Sequence, residues 1–105
     1  MELFDLTGKT AIITGSSRGI GKAIAERMAE HGARVVISSR KAAPCNEVAK
    51  EINAKYGEGR AIAIPVNISS KDELQRLVDE TKKAFGDIHI LVCNAAANPY
   101  YGPLA

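Results

Sequence analysis

The chain predicts an α/β fold, a three-layer, doubly wound parallel sheet with strand order 3-2-1-4. Three observations carry that expectation. Short apolar runs alternate with helical periods along the chain, the mark of successive β-α-β units. The runs lack a polar alternation, as in strands covered on both faces. A glycine-rich segment, Thr14-Gly15-Ser16-Ser17-Arg18-Gly19-Ile20-Gly21, joins the first run to the first helical period.

The elements follow in order. Thr10–Thr14 (TAIIT), bounded by Gly8 and Gly15, reads as the first strand. A helix over about 19–31 places Ile20, Ala23, Ile24 and Met28 on one stripe, with Gly32 as its C′ glycine. Arg34–Ser39 (RVVISS), rich in β-branched residues, is the second strand. The next helix runs from about Pro44 to Tyr56, with Cys45, Val48, Ala49, Ile52 and Tyr56 at spacings of three and four. Arg60–Pro65 (RAIAIP) is the third strand. Ser69 or Ser70 caps a helix to about Ala84, with Leu74, Leu77, Val78, Thr81 and Phe85 as its stripe. Ile88–Val92 (IHILV), with His89 inside it, is the fourth strand. Cys93–Ala105 shows neither helical nor strand period and contains Pro99, Gly102 and Pro103. Right-handed crossovers would place helices on both faces.

Composition narrows the class. One hundred and five residues, 46% hydrophobic and 25% charged, suit one small globular domain. A net charge of +2, with no basic run or interleaved aromatics, gives no reason to expect a nucleic-acid partner. The N-terminal MELFDLTGKT lacks a secretory pattern, and no apolar stretch reaches membrane-spanning length. Cys45 and Cys93 are isolated, which reads as free thiols in a cytoplasmic protein. His31 and His89 have no partners at metal-ligand or general-base spacing and read as structural, so no metal site is expected.

The glycine segment carries the chemistry. A turn between a strand and a helix exposes backbone N–H groups and the positive end of the helix dipole, a site for a pyrophosphate. Gly15 permits the tight turn, Gly19 the close approach of a ligand, and Gly21 close helix–sheet packing. Ser17 can bond a phosphate or ribose oxygen, and the amide of Ile20 lies near the helix N-terminus. Lys22 follows Gly21 but Ala23 takes the hydroxyl position, so the segment is no P-loop. A dinucleotide with an unmodified ribose calls for a carboxylate some 20 residues on. Here stand Ser38-Ser39-Arg40-Lys41. An arginine beside hydroxyls holds a 2′-phosphate by charge-assisted hydrogen bonds, and Arg18 can reach the same group. This favours NADP(H) over NAD(H); the other reading is that Arg40 and Lys41 are solvated loop charges. After the third strand, Asn67 can pair with the adenine amino group and Ile68 can pack on the ring, while Asn67 equally suits a plain turn. Asn94, Ala95 and Ala96, past the fourth strand, would let a ribose sit against bare backbone.

Together these residues resemble the short-chain dehydrogenase/reductase family. Thr14–Gly21 matches its Thr-Gly-x-x-x-Gly-Ile-Gly signature, and Cys93-Asn94-Ala95-Ala96 corresponds to its Asn-Asn-Ala-Gly stretch, with Cys and Ala as departures. The resemblance implies a Rossmann fold and hydride transfer between a nicotinamide and a carbonyl or alcohol carbon of a small molecule, in a homo-oligomer (a tetramer or dimer). It also implies a tyrosine proton donor in a Tyr-x-x-x-Lys helix. Tyr56, Tyr100 and Tyr101 are none of them followed four residues later by lysine, so no catalytic residue carries over. Residues 1–105 are therefore expected to be the N-terminal dinucleotide-binding part of one Rossmann domain, inactive alone, with the fourth strand left as an exposed apolar edge. The alternative is a truncated nucleotide-binding or partner-binding module without catalysis.

Overall fold

A computed structural model describes residues 5–93 and 100–102, the last three as strand backbone. It contains β1 (Thr10–Thr14), α1 (Gly19–Glu30), β2 (Arg34–Ser38), α2 (Ala42–Tyr56), β3 (Ala61–Ala63), α3 (Lys71–Phe85), β4 (Ile90–Cys93) and β5 (Tyr100–Gly102). The sheet order is β3-β2-β1-β4-β5. The first four strands are parallel, with Ile12 opposite Val36 on one side and Leu91 on the other. The 3-2-1-4 order expected of a doubly wound sheet is therefore present.

β5 differs from expectation. Tyr100–Gly102 pairs antiparallel with β4, Val92 opposite Tyr101, so the edge expected to be bare is covered by the chain itself. A three-residue edge strand has too few residues to show a period, which is why the sequence reads there as loop. β4 begins at Ile90, leaving His89 just ahead of the strand and not within it. There its backbone N–H donates to the Thr10 carbonyl at 3.0 Å, and its Nδ1 accepts from the Thr10 N–H at 3.1 Å. β3 stops at Ala63. Pro65 lacks an N–H and cannot extend the ladder.

Each face of the sheet carries its own core. Ala11, Ile13, Val35 and Ile37 face α1 and α2, and Ile12, Val36, Ile64 and Leu77 form the smaller core under α3. The α2 stripe is as expected, with Cys45, Val48, Ala49 and Ile52 buried. That helix begins at Ala42, and Pro44 sits in its first turn, where a missing N–H removes no helical bond. The α1 stripe needs correction. Its buried residues are Gly21, Ala25 and Ala29, while Ala23 is exposed and Ile20 is 66% exposed. Small residues at four-residue spacing let the helix backbone approach the sheet, so the larger Ile24 and Met28 pack at its flanks. Leu74 of the α3 stripe also remains partly open, at 39%.

The helix ends are closed by specific contacts. At the end of α1, Gly32 (φ 107°) donates to the Ala29 carbonyl and Ala33 to that of Met28, the paired bonds of a Schellman turn. Ser70 caps α3, its Oγ accepting from the Glu73 N–H at 3.3 Å. Arg60 ties together the ends of α1 and α2 and the turn before β2: its guanidinium donates to the carbonyls of Ala29, Tyr56 and Ala33.

Candidate functional site

The loops after β1, β2 and β3 converge at the carboxyl edge of the sheet around a cavity of about 690 Å³. Gly15, Ser17 and Arg18 come from the first loop, Ser39, Arg40 and Lys41 from the second, and Val66, Asn67, Ile68 and Ser69 from the third. Pro44 of α2 completes the lining. In a doubly wound sheet this edge is where ligands bind, because helix N-termini and strand-end loops meet there. Seven residues singled out from sequence, Gly15, Ser17, Arg18, Ser39, Arg40, Asn67 and Ile68, are thus brought together.

The first loop needs its glycines for conformation. Gly15 and Gly19 both have φ 63°, in the left-handed region. A Cβ built on Gly19 would meet nothing within 4 Å. Gly21 does not line the cavity; it is buried against the sheet, the packing role expected of it. Ile20 turns outward. Ser16, which sequence reasoning passed over, is the hinge pin of this loop. Fully buried, it donates from Oγ to the Ile13 carbonyl at 2.6 Å and accepts from the Ser38 N–H at 2.9 Å. Its own N–H donates to the Ser38 carbonyl at 3.1 Å. One small hydroxyl residue thereby locks the glycine turn to the end of β2. A serine inside a glycine turn, able to bond backbone on both sides, was the available signal.

Charge and helix ends reinforce each other. Arg18, Arg40 and Lys41 border the cavity, and no carboxylate among the described residues lines it. The N-cap residues of α1 and α2 are Arg18 and Lys41, whose side chains make no capping hydrogen bond, and neither helix has an acidic residue in its first turn. α3, by contrast, has the Ser70 cap and carries Asp72 and Glu73 in its first turn. Two helix N-termini beside the cavity are therefore left for an anion to satisfy, with side-chain cations around them. Ser39 Oγ lies 3.0 Å from the buried Cys45 Sγ and 3.4 Å from the Lys41 carbonyl.

In the third loop the structure shows the turn role of Asn67. Asn67 Oδ1 accepts from the Ser69 N–H at 3.0 Å, an Asx turn, and the same residue borders the cavity. Ile68 packs on the α3-side core and presents to the cavity as well. Glu73 accepts from the Asn67 N–H at 3.3 Å. Its carboxyl is held below the ordinary range, chiefly by hydrogen bonding from Arg76 and then by that N–H. Asn94, Ala95 and Ala96 lie outside the described residues. No described helix is long and apolar enough to cross a membrane.

Comparison with known proteins gives a family match. Residues 9–102 match the family model described as short chain dehydrogenase. The chain is 42% identical over 99 residues to the short-chain dehydrogenase/reductase SDRA of Arabidopsis thaliana, covering 94% of this chain and 38% of that protein. It is 44% identical over 110 residues to a chloroplastic NADPH-dependent aldehyde reductase-like protein of the same plant, covering 95% and 41%. Among solved structures it is similar to L-sorbose reductase from Gluconobacter frateurii complexed with NADPH and L-sorbose, with TM-score 0.84 and 36% identity over 90% of this chain and 35% of that one. The chain spans about two-fifths of the length of these curated relatives.

Proposed function

This chain belongs to the short-chain dehydrogenase family, and from that premise we propose that it forms the dinucleotide-binding front half of an NADP(H)-dependent oxidoreductase acting on a small carbonyl or alcohol. The observation that carries this reading is the trio Arg18, Arg40 and Lys41 around a carboxyl-edge cavity that no carboxylate lines among the described residues. An aspartate or glutamate after β2 would accept from a ribose 2′-hydroxyl and repel a 2′-phosphate; Arg40 does the reverse. The relatives named for NADPH agree in direction.

Each residue then has a task. The amides of the Gly15–Gly21 turn and the α1 N-terminus bind the diphosphate, with Ser17 as a further donor. Arg40 and Arg18 clasp the 2′-phosphate, with Ser39 beside them. Asn67 and Ile68 meet the adenine edge and face. Asn94, Ala95 and Ala96 would border the ribose on the nicotinamide side. When bound, the nicotinamide supplies the hydride. This chain orients the dinucleotide; it offers no proton donor of the Tyr-x-x-x-Lys kind.

The test is a fluorescence titration of Arg40→Ala with NADPH and NADH. Losing one set of charged hydrogen bonds weakens NADPH by about 1.5–3 kcal/mol, roughly ten- to a hundredfold, and leaves NADH within twofold. Equal weakening of both ligands would remove Arg40 from the 2′-phosphate and with it the preference for NADP(H).

A further inference from the structure

The cavity wall that follows β3 is gripped from behind by two charged side chains of α3. Pro65 cannot continue the ladder, and the chain turns over Val66–Ser69, all of which line the cavity. Arg76 Nη2 donates to the Pro65 carbonyl at 2.6 Å. Glu73 Oε1 accepts from the Asn67 N–H at 3.3 Å. These two anchors are locked to each other: Arg76 Nε and Nη2 donate to the two Glu73 oxygens at 3.2 and 3.3 Å. The remaining arm, Nη1, donates to Glu80 at 2.8 Å. The Ser70 cap in turn holds the Glu73 backbone. Backbone groups two residues apart in the wall are thus seized by one charged fork.

We propose that Arg76, working through Glu73, is a positioning residue for the nucleotide: it fixes the 65–69 segment so that Asn67 and Ile68 meet the base, and so sets selectivity for adenine. This rests on the nucleotide-binding reading above and names what aligns its base-reading wall. Arg76 does not line the cavity; its effect is transmitted through the Pro65 carbonyl and the Asn67 amide. On the β2 side the wall is held by the Val66 N–H to Ser39 carbonyl bond at 2.9 Å and by Val66 packing in the core with Val36, and that hydrogen bond precedes the two base-facing residues. Lysine cannot replace the fork. A point ammonium lacks the planar donor set needed to reach a carboxylate edge and a backbone carbonyl together.

The experiment compares wild type, Arg76→Lys, Arg76→Gln and Glu73→Gln. Each is titrated with NADPH, with NADH, and with the analogue of NADPH whose adenine is replaced by hypoxanthine. Wild type should prefer the adenine form by about tenfold, the scale of one well-placed hydrogen bond in a preorganised wall. Both Arg76 variants should bring that ratio to within twofold while the preference for NADPH over NADH persists. Glu73→Gln, which keeps an oxygen for the Asn67 N–H but loses the charge facing Arg76, should fall between. An unchanged base ratio in the Arg76 variants, or no base preference in wild type, overturns the positioning role. So does an equal loss toward all three ligands, which would make Arg76 a stability residue. Wild type failing to bind any of them would instead overturn the nucleotide reading, and the positioning role with it.

Discussion

Replacing Gly19 with alanine separates the two reasons a glycine can be needed. Its φ of 63° charges any side chain about 1–2 kcal/mol of left-handed strain, partly offset because alanine also stiffens the unfolded chain. The new Cβ meets no protein atom within 4 Å. The net cost to folding is therefore about 1 kcal/mol, a fall of roughly 5 °C in Tm. If the turn approaches a diphosphate, the same methyl stands where oxygens must come, and nucleotide affinity should drop more than tenfold. Gly32→Ala is the matched control. At φ 107° its Cβ would lie 2.6 Å from Thr7 Oγ1 and 2.9 Å from the Thr7 backbone nitrogen. Strain plus overpacking comes to roughly 2–5 kcal/mol, far from the cavity. Urea melts followed by circular dichroism and nucleotide titrations well below the midpoint should show opposite patterns: Gly19→Ala stable but poorly binding, Gly32→Ala unstable but binding normally. Wild-type affinity in Gly19→Ala would refute the placement of phosphate at this turn.

Other outcomes follow from the same geometry. Arg60→Met strips donors from three carbonyls at once and should cost about 3 kcal/mol in urea midpoint measurements; Arg60→Lys should recover only part, and a change under 0.5 kcal/mol would show the carbonyls to be satisfied by water. Asp5, through its hydrogen bonds from Thr7, and Glu73, through those from Arg76 and Asn67, have carboxyls held below their ordinary values of 3.8 and 4.5. A carboxyl lowered in the folded state contributes stability in full above its ordinary value and loses it as pH falls through that value and below. Stability should accordingly be flat with respect to these groups from pH 7 to about 5 and decline below about 4.5, and Glu73→Gln should flatten part of that decline.

Much of this molecule is legible in its residues because its local signals agree. The β1 run, the glycine turn and the α2 stripe each point to one conformation, and the loops they imply do converge. The α1 face differs from its sequence pattern for a physical reason: periodicity weighted by side-chain size favours Ile20, whereas the closest packing on the sheet is achieved by Gly21, Ala25 and Ala29, with Ile24 and Met28 beside them. Asn67 is ambiguous in sequence because turn formation and base pairing ask for the same side chain. Ser16 and the Arg76–Glu73 fork were not visible at all. Their partners lie 22 residues away on β2 in one case and on the far side of a turn in the other, and no spacing rule within one element reveals them. β5 escaped because three residues hold no period.

The Arg60 clasp sits where β2 and β3 begin, while the cavity-lining loops hang where those strands finish. Rigidity and selectivity are thereby assigned to opposite poles of a single slab. If residues 39–41 read the ribose as proposed, they can be exchanged for sequences suited to a different one without disturbing the knot that keeps the slab together. A scaffold so divided lends itself to retooling: the rim can drift toward a new coenzyme while the base stays untouched.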